Sequence, residues 1–325
     1  MLDVAGMSLA LGTPDGFHEV LHAIDLRVEA GQTVGLVGES GCGKSVTALA
    51  IMRLLPNARY LQGSMRLDGQ ELLGLSEKQM RRLRGNRMAM IFQEPMTSLN
   101  PLMSVGSQIA EAVKLHRGLD SRAALAQATK LLDTVGIPGA ARRTHARPHE
   151  LSGGQRQRVM IAMALACKPR LLMADEPTTA LDVTVQAQIL DLLDALKQEM
   201  GMALLLITHD LAIVSNYCDA VSVMYAGRIV ESRPVEALFD GPAHPYTEAL
   251  LKTSPSEHAP GSMLPTIQGS VPALGKRGAG CLFAPRCAYA RANCHQLAPE
   301  PTAVAGEAGL ATVACWYPRH QARNT

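Results

Sequence analysis

Aromatic residues are scarce. Four phenylalanines, six tyrosines and one tryptophan amount to 3% of the 325 residues, so Leu, Ala, Val, Ile and Met must pack the core. An excess of charge is also missing: 31 Lys and Arg against 29 Asp and Glu leave a net +2, which argues against a broad electrostatic footprint for nucleic acid. No 18 apolar residues run together, so no membrane-spanning helix is expected. Asp3 interrupts the opening and no basic-then-apolar start follows, so no secretory signal is expected. Without one, disulfides among the seven cysteines are not expected either. No internal repeat is visible. At 47% hydrophobic, the chain has enough apolar material for one large domain with an appendage, or for two domains.

The chain is organised around Gly38-Glu39-Ser40-Gly41-Cys42-Gly43-Lys44-Ser45, which matches the phosphate-binding pattern G-x-x-x-x-G-K-[ST]. Thr33–Val37 before it is short, apolar and β-branched, a buried strand; Val46–Met52 after it reads as a helix. Glycines let backbone N–H groups turn inward around phosphate oxygens, and the helix start adds partial positive charge there. In this setting Lys44 reaches the β- and γ-phosphates and Ser45 ligates Mg²⁺. Cys42 occupies a variable slot, and its thiol is incidental.

The rest of the chain alternates strands and helices. Residues 1–37 read as an antiparallel strand set, with alternation at Leu26-Arg27-Val28. Ser64–Gln70 reads as a strand and tight turn, Ser76–Gln79 as a capping box, and Met88–Phe92 as a second buried strand. The stretch 102–148 turns helical, with Asp120 capping a helix and Gly136 and Pro138 beyond its end. Gln155–Cys167 reads as a helix and Arg170–Asp175 as a strand. Asp182 caps a helix over Val183–Met200 that Gly201 closes, Ala203–Ile207 is a further strand, and Val221–Met224 with Arg228–Glu231 makes a hairpin. Such alternation predicts an α/β fold with a mostly parallel sheet covered on both faces. Beyond Leu251, Pro255, Pro260, Pro265 and Pro272 punctuate a linker or irregular lobe.

Three strand ends and one helix start carry the candidate chemistry. Asp175 ends a buried apolar strand, where a carboxylate holds the Mg²⁺ water shell; Glu176, directly next, is placed to polarise an attacking water. An adjacent Asp-Glu is most often a solvated surface pair, but not after such a strand. His209 ends the next apolar strand and is suited to the γ-phosphate or the water. Gln93 ends another and is suited to Mg²⁺ or the γ-phosphate. Leu151-Ser152-Gly153-Gly154-Gln155 precedes a helix. By itself that is an ordinary cap; about 20 residues ahead of the Asp-Glu strand it is a second anion-binding helix start.

Together, Gly38–Ser45, Gln93, Leu151–Gln155, Leu171–Glu176, Ala180-Leu181-Asp182 and His209 resemble the Walker A, Q-loop, signature, Walker B with catalytic glutamate, D-loop and switch histidine of an ATP-binding-cassette ATPase. The resemblance covers roughly residues 1–250. It implies a nucleotide-binding domain at 1–252, with an antiparallel β subdomain and a helical subdomain at about 102–150. It also implies head-to-tail pairing, with ATP held between Lys44's loop in one cassette and Ser152, Gly153, Gly154 and Gln155 in the other. The expected catalytic residues are Glu176, His209 and Gln93, and the expected Mg²⁺ ligands Ser45, Gln93 and Asp175. The family's adenine-stacking aromatic has no clear counterpart; Phe17 and His18 are nearest.

Gln93–Pro101 and His244–Leu251 resemble the corresponding segments of oligopeptide and dipeptide importers, with the dipeptide branch the nearest likeness. Nickel and glutathione importers share these features, and a cassette ATPase acting on DNA or ribosomes is a further alternative. The implied partners are a second, sibling ATPase subunit, two transmembrane permeases and an extracytoplasmic solute-binding protein, with no nucleic acid. The implied location is peripheral, on the cytoplasmic side of the inner membrane.

The tail, 253–325, holds Cys281, Cys287, Cys294 and Cys315, spaced C-x5-C-x6-C-x20-C. Four thiolates suit zinc or an iron–sulfur cluster, yet short zinc knuckles are absent. The subfamily resemblance points to a [4Fe–4S] cluster; zinc, and free or disulfide thiols, stay open. Arg286 and Arg291 between them either offset a cluster's charge or are ordinary surface charges. A staple would hold a lobe so poor in apolar periodicity.

Overall fold

A computed structural model of the chain describes residues 1–319 apart from 180, 254–262, 264, 276 and 305–310. Ala180 of the expected D-loop, and Pro255 and Pro260 of the expected linker, lie outside the described residues. The chain groups into two compact units: residues 1, 28–32 and 71–206 form one, and 2–27, 33–70 and 207–325 the other.

In the second unit, strand Leu2–Thr13 lies between Gly16–Val28 and Ala58–Leu67, and pairs antiparallel with the latter from Leu2↔Leu67 to Leu11↔Ala58. Along Gly16–Val28, Ile24, Leu26 and Val28 are buried while Asp25 and Arg27 are exposed, which is the alternation the sequence shows. A second run of strands has the order Thr302–Ala303, Thr312–Val313, Arg228–Pro234, Ala220–Tyr225, Thr33–Val37. Every residue of Thr33–Val37 is buried, and the strand runs parallel to Ala220–Tyr225. The hairpin from Ala220–Tyr225 to Arg228–Pro234 turns at Ala226 and Gly227, both with positive φ (46° and 80°), the conformation tight hairpins demand.

In the first unit, Met88–Ile91 and Leu171–Asp175 pair parallel; Ala203–Thr208 is a further strand. All three are buried along their length, so their uninterrupted apolar runs are those of strands covered on both faces. The helical stretch resolves into Val105–Arg117 and Ser121–Thr134, capped by Ser104 and Asp120. The Asp120 carboxylate accepts from Ala123 N–H at 2.8 Å. Helix Val183–Met200 starts at Asp182, whose carboxylate accepts from Val185 N–H at 2.9 Å, and stops at Gly201 with φ 61°. Each such cap is worth about 1 kcal/mol.

Within the tail, expected as a linker or irregular lobe, two short strands form. Thr302–Ala303 and Thr312–Val313 pair antiparallel, and the latter pairs with Arg228–Pro234 through Glu231↔Val313 and Ser232↔Thr312. Strands of two residues leave no periodicity to read, which is why sequence missed them. Glu231, fully buried, is satisfied where the tail and hairpin meet: its carboxylate accepts from Ala243 N–H (2.8 Å) and His244 N–H (2.9 Å). Among the described residues no helix is long and apolar enough to cross a membrane.

Candidate active site

The phosphate loop is built within the second unit. Strand Thr33–Val37 leads into it and helix Lys44–Ile51 leaves it. Gly38 has φ 151°, and a Cβ there would stand 2.2 Å from the Met224 carbonyl oxygen and 2.8 Å from Cys42 Sγ. Only glycine lets the loop come this close to the neighbouring strand. Gly43 is the helix N-cap and makes no side-chain cap bond, the arrangement in which a helix start receives an anion. Lys44 is buried; its Nζ donates to the Gly38 carbonyl at 2.8 Å and the Glu39 carbonyl at 3.2 Å, folding the ammonium across its own loop. Ser40 and Gly41 are exposed at the tip. Cys42 is fully buried and burial pushes its thiol up, so it stays protonated, an inert packing group.

His209 also belongs to the second unit. It is exposed on the turn between Ala203–Thr208 and helix Leu211–Tyr217. The turn is fixed on either side: Asp210 N–H donates to Thr208 Oγ1 (3.0 Å) and the Asp210 carboxylate caps Ala212 N–H (2.8 Å).

The first unit assembles the other groups. Asp175 is buried at the end of strand Leu171–Asp175, and Glu176 follows with φ 45°, a conformation a non-glycine residue seldom holds. Its carboxylate is pinned at Oε2 by Gln93 Nε2 (3.2 Å) and Thr179 Oγ1 (2.9 Å). Gln93 and Glu176 are 83 residues apart in sequence and meet here. Thr179 was not legible as a partner beforehand, although its place three residues past a strand-end carboxylate is a turn position. Ser152 begins helix Gly153–Leu165, two residues ahead of the expected start. Ser152 Oγ accepts from Gln155 N–H (3.3 Å) and Gln155 Oε1 accepts from Ser152 N–H (3.2 Å), a reciprocal cap already written in S-x-x-Q. A Cβ on Gly154 would meet Val185 Cγ1 at 2.9 Å, so the signature helix start packs directly on helix Val183–Met200.

The four tail cysteines line a single cleft, with His244, Phe283, Tyr289 and Tyr317 among its walls. Burial and the neighbouring thiols push Cys315 up to about 11; Cys281 and Cys287 are raised by burial first and by neighbouring thiols second. Cys281 N–H donates to the Cys294 carbonyl at 2.8 Å, closing the segment that carries three of them. Among the described residues, no group of three or more His, Cys, Asp or Glu is arranged to hold a metal ion. The expected metal centre is therefore not laid out as a ready single-ion site, although its four thiols converge. Arg286 is not an ordinary surface charge: its side chain is 5% exposed and it pairs with Glu39 of the phosphate loop. Phe17, one adenine-stacking candidate, carries the Arg59 guanidinium 3.6 Å above its ring centroid.

Comparison with known proteins accords with this geometry. Residues 21–179 match the family described as ABC transporter, and residues 230–294 match the oligopeptide/dipeptide transporter C-terminal region. A protein of Brucella abortus (strain 2308) named for peptide import and ATP binding is 49% identical over 303 residues, 93% of this chain and 90% of its own. A protein of the same name from Brucella melitensis biotype 1 is 50% identical over 319 residues, 94% of each chain. Among solved structures, a dimeric ATP-binding cassette bound to ADP and Pi in a post-hydrolysis state superposes with TM-score 0.65 at 25% identity, over 72% of this chain and 99% of that one. The cbiO1 protein of Clostridium perfringens, part of an ABC transporter complex, superposes with TM-score 0.62 at 28% identity, over 74% and 90%. The chain belongs to the ATP-binding-cassette transporter ATPases.

Proposed function

We propose that the chain is the ATP-hydrolysing subunit of a peptide importer, docked peripherally on the cytoplasmic side of the inner membrane. The observation that carries hydrolysis is Glu176, held at positive φ by Gln93 and Thr179 immediately beyond a buried strand. The relatives' name and the match at 230–294 support peptides as cargo. The nucleotide-binding domain would span 1–252, with the cysteine-bearing region at 253–325 following it.

ATP's phosphates lie in the loop Gly38–Ser45, where backbone N–H groups face them and Lys44 leaves its carbonyl partners for the β- and γ-oxygens. Ser45, Gln93 and Asp175 would be the residues to hold Mg²⁺, which would supply charge neutralisation at the phosphates. Glu176 accepts the proton of the attacking water and His209 donates to the γ-phosphate. Ser152, Gly153 and Gly154 close on the ATP of a partner cassette, a sibling ATPase subunit. Closure does work only because ATP binds the closed pair more tightly than the open one. Gln93, linked to Glu176, lies at the start of the segment through which closure reaches two membrane-spanning permeases, which receive peptide from a solute-binding protein.

The four cysteines lining one cleft would be the ligands of a [4Fe–4S] cluster, which the subfamily resemblance and the lack of short zinc knuckles favour over zinc. Purified anaerobically, the chain should hold iron and acid-labile sulfide in equal amounts, about four of each, with broad visible absorption. Stoichiometric zinc without sulfide would replace the cluster by zinc. The transport role is tested by purifying the tagged chain from its native membrane. Two polytopic membrane proteins and a second cassette subunit should accompany it; nucleic acid or ribosomes in their place would refute the importer.

A further inference from the structure

The guanidinium of Arg286 is 5% exposed and fully engaged. Its Nη1 donates to Glu39 Oε2 at 2.6 Å and its Nη2 to Glu39 Oε1 at 2.8 Å, a two-pronged pair. Its other N–H groups go to the carbonyls of Gln268 (Nε, 2.8 Å) and Ile267 (Nη2, 3.2 Å), and Nη1 also reaches Tyr225 Oη at 3.2 Å. Glu39 is the second residue of the phosphate loop.

Arg286 is itself held by the cysteine lobe. It ends the short turn Ala284–Arg286, closed by Ala284 N–H to the Cys281 carbonyl (3.0 Å) and Cys287 N–H to the Ala284 carbonyl (3.2 Å). Phe283, just before it, packs on Tyr225 and Tyr246 with ring centroids 5.3 Å away in each case. These are three of the chain's few aromatics, gathered in one cluster. Tyr246 in turn accepts a hydrogen bond from Glu39 N–H at 2.9 Å. Glu39 is thus gripped at its backbone by the His244–Leu251 segment and at its carboxylate by the lobe between Cys281 and Cys287.

A bare carboxylate in a loop that takes a triphosphate repels it. We propose that Arg286 is a positioning residue for ATP: by pairing with Glu39 it neutralises and orients the phosphate loop, so the cysteine lobe sets nucleotide affinity. This rests on the reading of Gly38–Ser45 as the ATP site. A tail that simply anchors itself on the cassette would leave the charge of Glu39 irrelevant.

The test is equilibrium binding of a fluorescent ATP analogue, with ATPase kinetics, on the full chain. Arg286→Ala should weaken binding about tenfold and raise KM with kcat within about twofold, the scale of one unscreened charge at close range. Adding Glu39→Gln to it should restore affinity to within about twofold, because the repelling charge is gone. Arg286→Gln, which still hydrogen-bonds, carries the same expectation if the alanine variant does not fold. Wild-type affinity in the single variants, or no rescue in the double, overturns the proposal. Lys44→Ala is the control: if it binds ATP normally, the loop is not the ATP site and both readings fall. If Lys44→Ala loses binding while Arg286→Ala does not, only the role of Arg286 falls.

Discussion

Glu176→Gln is expected to lower the ATPase kcat about a thousandfold or more while ATP binding stays within a few-fold of wild type. The amide cannot accept the proton of the attacking water. It can still receive a hydrogen bond from Gln93 or Thr179, which hold Oε2 at 3.2 and 2.9 Å, so the turn should persist. The backbone strain of φ 45° is common to both variants and cancels in the comparison. Single-turnover hydrolysis beside nucleotide binding separates the two effects. Turnover near the wild-type rate would remove Glu176 from its assigned role and leave the carboxylate as a turn anchor.

Lys44→Ala should act on the opposite quantity and lower ATP affinity about a hundredfold or more, with hydrolysis lost as a consequence. The side chain is 5% exposed and its ammonium already sits over the loop, satisfied by the Gly38 and Glu39 carbonyls. In the proposed site, binding would exchange those carbonyls for phosphate oxygens, so the cation would be delivered without leaving a protein-lined environment. Lys44→Arg should fail almost as badly, because a planar fork does not fit the buried path of a compact ammonium. Titration with a fluorescent nucleotide reads both. An arginine variant that binds like wild type would show that charge alone, not fit, is what the loop needs.

The cassette was legible in sequence wherever chemistry and backbone punctuation coincide. Gly38–Ser45 between a strand and a helix, Asp182 ahead of Val183–Met200 and Gly201 behind it, and Ser76 with Gln79 all speak through residues within a few positions of one another. The strand-end positions of Gln93 and Glu176 were equally visible, but their mutual hydrogen bond was not, since nothing local links residues 83 apart. The same limit hid the grip on Glu39. Tyr246 and Arg286 lie 207 and 247 residues away, and Arg286 reads like any arginine near a cysteine. One signal was available: in a chain with 3% aromatics, Tyr225, Tyr246 and Phe283 were worth placing together. The two-residue strands of the tail were out of reach for another reason: Thr312–Val313 is a strand because it pairs with Arg228–Pro234, and Thr302–Ala303 because it pairs with Thr312–Val313, not through any pattern of their own.

The most direct measurement is a structure of the transporter carrying Glu176→Gln, solved with ATP and Mg²⁺ bound. The account predicts ATP phosphates against this chain's Lys44, and this chain's Ser152 on the γ-phosphate of the nucleotide held by the opposing cassette. A nucleotide enclosed by one cassette alone, with Ser152 facing solvent, would contradict it.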